Sequence, residues 1–188
     1  LVAGGLAARG FQPGEVFAIY LPNLPEYAVA FYGVLLAGGT NTTISPLYTV
    51  EELAAQLNDA DARYLLTIPS FLDKAIEAAG RSGVREVFVL GEAAGATPFA
   101  ALLASGHQPP EVRVDPHRDL ATLPYSSGTT GLPKGVMLTH HNLVANLCQF
   151  QPVVDLGEET GVAVLPFFHL YGQVVLMAAA LWQGATLV

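Results

Sequence analysis

The chain is 188 residues long, with 8 basic against 16 acidic residues (net charge -8), and it is 52% hydrophobic but only 13% charged. That length fits one domain or two small ones, the apolar fraction excludes wholesale disorder, and the negative balance excludes a surface built for nucleic acid or anionic lipid. Soluble domains usually carry about 25% charged residues, so the shortage implies that part of this surface packs against something else.

In chain order, LVAGGLAARG lacks the basic start of a secretory signal and reads as the tail of an amphipathic helix. Val16 to Leu21 reads as a strand after the turn Gln12-Pro13-Gly14. Pro25 suits the first position of a helix, with Asn23 or Leu24 near its cap and a stop at Gly38-Gly39. Thr40 to Ile44 is a second strand. Thr49 then opens a capping box with Glu52, and that helix runs to about Asn58. Arg63 to Ile68 is a strand, Ser70 to Ala79 a helix and Glu86 to Leu90 a strand. Phe99 to Ser105 suits a short helix, and residues 106–120, with three prolines, mark a subdomain boundary within a single 1–188 unit.

Beyond it, Leu120 to Tyr125 and Gly135 to Thr139 read as strands, His140 to Phe150 as a helix and Gly161 to Leu165 as a strand. His169 to Leu181 follows as an apolar helix stopped by Gly184, and the chain closes on the strand-like Ala185 to Val188. Alternating strands and helices predict an α/β fold of largely parallel sheet layers with flanking helices. The longest apolar run, Ala28 to Gly39, is far short of the about 20 residues of a membrane span. The single cysteine, Cys148, excludes an internal disulfide. A reducing, cytoplasmic setting is therefore expected. Cys148 lies beside Leu147 and Phe150 and is expected to pack in the core.

An internal repeat emerges when VFAIYLPNLPEYAVAFYGVLLAGGTNT, from Val16, is set against VAVLPFFHLYGQVVLMAAALWQGATLV, from Val162. Both run strand, Leu-Pro turn, polar-aromatic elbow, apolar helix, glycine stop, strand. Any two strand–helix–strand units share some of this. Two related sheets would each place a loop at the carboxyl end of their first strand, where ligands bind in open α/β folds.

The segment YSSGTTGLPKGVMLTH, Tyr125 to His140, carries the chemistry. Glycines let backbone N–H groups turn inward around an anion, Ser126, Ser127, Thr129 and Thr130 add neutral donors, and Lys134 adds a mobile positive charge. It is not a Walker A loop, because Lys134 follows Pro133 and no Ser or Thr comes next, and no GxGxxG is present. An ordinary Gly-Ser-Thr turn does not account for the lysine between two apolar strands. His140 is expected to cap or orient its helix, and neither His140 nor His141 has a nearby metal-like partner in sequence.

SSGTTGLPKG, continued as VMLTH, resembles the signature of the adenylate-forming superfamily of acyl-CoA synthetases, luciferases and peptide-synthetase adenylation domains. PFFHLYG, Pro166 to Gly172, resembles its next motif, and the wording upstream is most similar to 4-coumarate–CoA ligases. The resemblance implies the partial N-terminal catalytic domain of an acyl-CoA synthetase-like enzyme. It implies ATP, Mg²⁺ and CoA as co-substrates and cofactor, a carboxylic acid as substrate, and the remainder of the catalytic domain with a C-terminal domain as partners.

By resemblance, Ser126, Ser127, Gly128, Thr129, Thr130, Gly131 and Lys134 hold the β- and γ-phosphates. Lys134, Thr130 and His169 are the catalytic candidates, His169 standing beside the carboxylate and α-phosphate. Tyr171 and Gly172 join His169 in the acyl pocket. The family's metal-binding glutamate, ribose-binding aspartate and small-domain lysine have no match here, so the chain alone is expected to be inactive. The alternatives are a carrier-protein-loading or luciferase-like enzyme, and a truncated non-catalytic nucleotide-binding module.

Overall fold

The computed structural model describes residues 1–126, 133–157 and 159–188. Its elements in order are α1 (Val2–Ala8), β1 (Val16–Ile19), α2 (Pro25–Leu36), β2 (Thr40–Thr43), α3 (Val50–Asp59), β3 (Ala62–Thr67) and, after a 3₁₀ turn at Pro69–Phe71, α4 (Leu72–Ala79). Then come β4 (Glu86–Val89), β5 (Thr97–Pro98), α5 (Ala100–Leu103), β6 (Leu120–Ser126), β7 (Lys134–Gly135), β8 (Leu138–Thr139) and α6 (His140–Phe150). β9 (Thr160–Gly161), a π-helix over Gly172–Ala178, α7 (Ala179–Gln183) and β10 (Thr186–Leu187) complete the described chain.

The main sheet runs β5-β4-β3-β1-β2-β6-β7, with β8 also on β6. Every pairing from β5 to β6 is parallel, and only β7 and β8 run antiparallel. β9 and β10 form a small parallel sheet of their own. The α/β architecture matches the sequence expectation.

β1 explains itself. A parallel strand covered on both faces needs apolar residues in both phases of its pleat. Phe17, Ile19 and Leu21 enter one core with α1 and α2, while Val16, Ala18 and Tyr20 enter the opposite core with α3 and α4. Phe17, Tyr64 and Phe88 form a mutual cluster, with Phe17 6.3 Å from Tyr64 and 6.1 Å from Phe88 and those two 6.2 Å apart between centroids. The capping box of α3 forms as expected, with the Glu52 N–H donating to Thr49 Oγ1 and the Thr49 N–H donating to the Glu52 carboxylate.

β2 is buried and polar throughout, and its side chains act as connectors. Thr40 and Thr42 donate to the Leu120 and Leu123 carbonyls of β6, and Asn41 donates to the Phe31 carbonyl of α2. Gln56 of α3 donates to Thr42 Oγ1 and to the Thr43 carbonyl. Buried polar groups cost little when they are paired this way.

Four expectations need correction. The strand drawn over Gly135 to Thr139 breaks into β7 and β8: the Val136 N–H donates to the Pro124 carbonyl in ladder register, but Pro124 has no N–H to return the bond. The strand drawn over Gly161 to Leu165 is regular only at Thr160–Gly161; the Ala163 N–H still donates to the Val188 carbonyl, while the carbonyls of Ala163 and Leu165 accept from the Asn23 side chain. The helix drawn from His169 is a π-helix over Gly172–Ala178 before it becomes α7. Cys148 is exposed, and α6 buries no residue fully, so this thiol is not a core group.

Candidate active site

The site begins at a hairpin neck. β6 and β7 pair antiparallel through Tyr125↔Gly135 and Ser126↔Lys134. Cross-strand partners share a face of the ladder, so Ser126 and Lys134 project from the same face where the loop begins and ends. Ser127, Gly128, Thr129, Thr130 and Gly131, the other predicted phosphate ligands, lie outside the described residues.

Tyr125 anchors this neck. Its hydroxyl donates to Asp59 Oδ2 at 2.5 Å, and its ring lies against Gly135, where an added Cβ would meet ring atoms at 3.1–3.3 Å. Burial raises the Tyr125 phenol well above the usual tyrosine range, and the Asp59 carboxylate adds to this, so the group remains a donor.

A cavity of about 230 Å³ opens beside the neck, lined by Ser126, Tyr125, Thr43, Ser45 and His169 among others. The structure thus brings Ser126 and His169 to one cleft, with Lys134 across the ladder from Ser126. His169 also borders a second cavity of about 500 Å³ with Tyr171, Asn142, Asn146 and Val174. It is the partition between a polar cleft at the hairpin and a more apolar one along the π-helix. A third cavity of about 530 Å³, between α2 and β10, is lined by no titratable side chain.

The imidazole of His169 is oriented. The Tyr171 N–H donates to its Nδ1 at 3.2 Å. A nitrogen accepting that bond carries no proton, so the neutral ring bears its hydrogen on Nε2. Nε2 is therefore the donor nitrogen in that tautomer. Tyr171 is exposed at the second cavity, whereas Gly172 is buried behind it. A Cβ on Gly172 would sit 2.2 Å from the Pro166 carbonyl oxygen, so only glycine lets the π-helix approach that backbone.

Two side chains from the first repeat hold the residues before His169. Asn23 Nδ2 donates to the Ala163 and Leu165 carbonyls, both at 2.8 Å, and its Oδ1 accepts from the Phe167 N–H at 2.7 Å. Thr43 Oγ1 donates to the Phe168 carbonyl at 2.8 Å. Sequence reasoning placed Asn23 near the α2 cap, but that cap is Leu24, without a side-chain bond, and Asn23 faces the second repeat. The clue available in the sequence was a polar side chain at a Leu-Pro elbow whose repeat counterpart is apolar.

Thr139, not His140, caps α6, in a capping box with Asn142. Burial lowers the His140 pKa. His141 stacks on His117 with centroids 4.2 Å apart, a neighbour that sequence distance concealed. Among the described residues, no three His, Cys, Asp or Glu side chains group as metal ligands, and no helix is long and apolar enough to cross a membrane.

A largely parallel α/β sheet whose β6–β7 hairpin neck borders one cleft with His169 defines an α/β protein with a candidate site at the carboxyl end of β6. The chain belongs to the AMP-binding enzyme family, which matches residues 1–188. It is 40% identical over 193 residues to 4-coumarate–CoA ligase 5 of Oryza sativa subsp. japonica, covering 100% of this chain and 35% of that protein. A long-chain-fatty-acid–CoA ligase from Archaeoglobus fulgidus superposes with a TM-score of 0.87 at 28% identity, over 100% of this chain and 37% of that one. ATP-bound MatB from Rhodopseudomonas palustris superposes with a TM-score of 0.82 at 28% identity, with the same two coverages. The chain thus spans about a third of the length of the relatives it matches.

Proposed function

We propose that this chain carries the triphosphate-binding part and one wall of the acyl pocket of an AMP-forming acid–CoA ligase, most similar to 4-coumarate–CoA ligases. The observation that carries this reading is the hairpin neck, which sets Ser126 opposite Lys134 beside the cleft that holds His169. Bringing a carboxylate to a triphosphate opposes like charges, and the barrier falls when fixed donors meet the charge that develops. Ser126 and Lys134 supply a hydroxyl and an ammonium suited to phosphate oxygens, and Ser127 to Gly131 extend that set in sequence. When bound, ATP supplies the activated phosphorus that the carboxylate attacks.

His169 acts as a neutral Nε2–H donor at the partition between the two cavities, where it can hold a carboxylate oxygen without adding a charge of its own. Tyr171 lines the acyl side. Gly172 acts through packing, by fixing where the π-helix starts. Mg²⁺ in this reading would be held mainly by the phosphates of ATP, with few protein oxygens. Transfer to CoA is the acceptor step in this reading, supported by the names of the relatives.

Calorimetric titration of pyrophosphate into the 188-residue chain tests the loop assignment. Saturable binding that Lys134→Ala weakens about tenfold or more is expected for a lost charge-assisted contact. Equal binding by both proteins would remove the assignment. The chain alone is expected to bind without turnover, and adenylate formation by it at the rate of a complete ligase would contradict that. An acid panel with a full-length relative carrying this segment, read as CoA-dependent AMP release, tests the substrate class.

A further inference from the structure

We propose that Tyr125 and Asp59 form a latch that fixes the register of the Ser126/Lys134 neck, making both positioning residues for the anion-binding loop. The proposal rests on the phosphate-loop reading above.

The β6–β7 ladder contributes two residue pairs, Tyr125↔Gly135 and Ser126↔Lys134, and β8 adds Leu120↔Thr139 and Thr122↔Leu138 farther from the loop. The two pairs at the neck are the last before the loop, where a ladder opens most readily. One more backbone bond helps, from the Val136 N–H to the Pro124 carbonyl at 2.8 Å. At the neck itself Tyr125 adds side-chain contacts. Its ring lies against Gly135 on the partner strand, where no side chain competes for the space. Its hydroxyl then reaches beyond the hairpin to the Asp59 carboxylate at 2.5 Å, a length typical of an O–H···O⁻ bond.

Asp59 is the last residue of α3. A carboxylate there opposes the helix macrodipole, which favours cations at that end. Nothing in α3 itself calls for an acid at this position. The helix is nonetheless a firm anchor, closed at its other end by the Thr49–Glu52 capping box and tied to β2 through Gln56. The latch therefore connects the loop stem to the rigid body of the sheet. A slip of the ladder by one residue would move Lys134 off Ser126 and turn its ammonium to the other face.

The test uses the 188-residue chain with amide hydrogen exchange and pyrophosphate titration in parallel. Tyr125→Phe keeps the ring and removes the donor, Asp59→Ala removes the acceptor, and Asp59→Asn keeps an acceptor as the rescue variant. Exchange at the Val136 amide is expected to quicken about tenfold in the first two variants, while core amides such as that of Leu65 hold their rates. Pyrophosphate affinity is expected to fall several-fold in the same two variants and to return in Asp59→Asn.

Unchanged Val136 exchange in both Tyr125→Phe and Asp59→Ala would overturn the latch. So would faster exchange with undiminished affinity, since the bond would then support the strand without positioning the donors. If the unsubstituted chain binds no pyrophosphate, the phosphate-loop reading fails by itself, and Val136 exchange alone decides the latch.

Discussion

Replacing Asn23 with alanine removes three hydrogen bonds that cross about 140 residues of sequence. The bonds to Ala163 O and from the Phe167 N–H are part-buried, while the bond to Leu165 O is exposed and water can replace it. A net value of about 1 kcal/mol for each part-buried bond gives a loss of about 2 kcal/mol, more if the Phe167 N–H finds no other acceptor. For a chain of this size that corresponds to a fall in Tm of about 4–8 °C. Asn23→Asp is the sharper comparison. It keeps the acceptor for Phe167 but turns a carboxylate toward two carbonyl oxygens, so at neutral pH it should destabilise at least as much as alanine despite its near-identical shape. Urea unfolding followed by circular dichroism measures both. Values within 0.5 kcal/mol of the unsubstituted chain would refute the idea that Asn23 joins the two repeats, because that is the ordinary range for surface changes.

Gly172→Ala drives a Cβ to 2.2 Å from a backbone oxygen, and unfolding should show a loss at or above the about 1–3 kcal/mol of an overpacked core. Thr49→Ala should cost about 1 kcal/mol by loss of the α3 cap, and Thr49→Ser should recover most of it. The tyrosines set an alkaline limit. Tyr27 and Tyr125 have folded pKa values raised above 10.0 by burial, so their contribution to stability is whole below that pH and is lost as the pH climbs through the folded values. His140, lowered from 6.5 by burial, acts at the other end: its contribution is whole above that pH and is lost on acidification. Denaturant midpoints across the pH range should therefore fall on both sides, and Tyr125→Phe should flatten the alkaline arm.

The main sheet was legible in the sequence because its signals are local. VFAIYL is apolar in both pleat phases, Thr49-Val50-Glu51-Glu52 is a cap, and Gly38 and Gly184 stop their helices with φ values of 78° and 74°. What could not be read there depends on contacts distant in sequence. Gly172 against Pro166 and Asn23 against Ala163 and Leu165 are contacts of that kind. The candidate site divides the same way. Ser126, Lys134 and His169 were visible as residue types in motifs, whereas Tyr125, Asp59, Asn23 and Thr43 gain their roles through partners on other elements. Cys148 was misjudged because helical neighbours Leu147 and Phe150 say nothing about whether a sheet lies beneath them.

The internal repeat gives these contacts a common logic. Val16↔Thr40 and Thr160↔Thr186 are equivalent parallel pairings, each closed by a helix that follows a Leu-Pro elbow at the carboxyl end of the first strand. In such sheets the elbows are where ligands meet the protein. Aligning Leu21-Pro22 with Leu165-Pro166 sets Asn23 opposite Phe167 and Pro25 opposite His169. The first elbow thus spends its polar group on the backbone of the second, with Asn23 bonded to Phe167, while the second presents its polar group, His169, to two cavities. Asn23 at the first elbow and Thr43 at the end of β2 grip residues 163–168 from one side, and Gly172 closes the π-helix onto Leu165 and Pro166 from the other. A histidine on an exposed turn holds its direction only if the backbone beneath it cannot shift. Here the first repeat provides that restraint, one copy serving as the scaffold for the other.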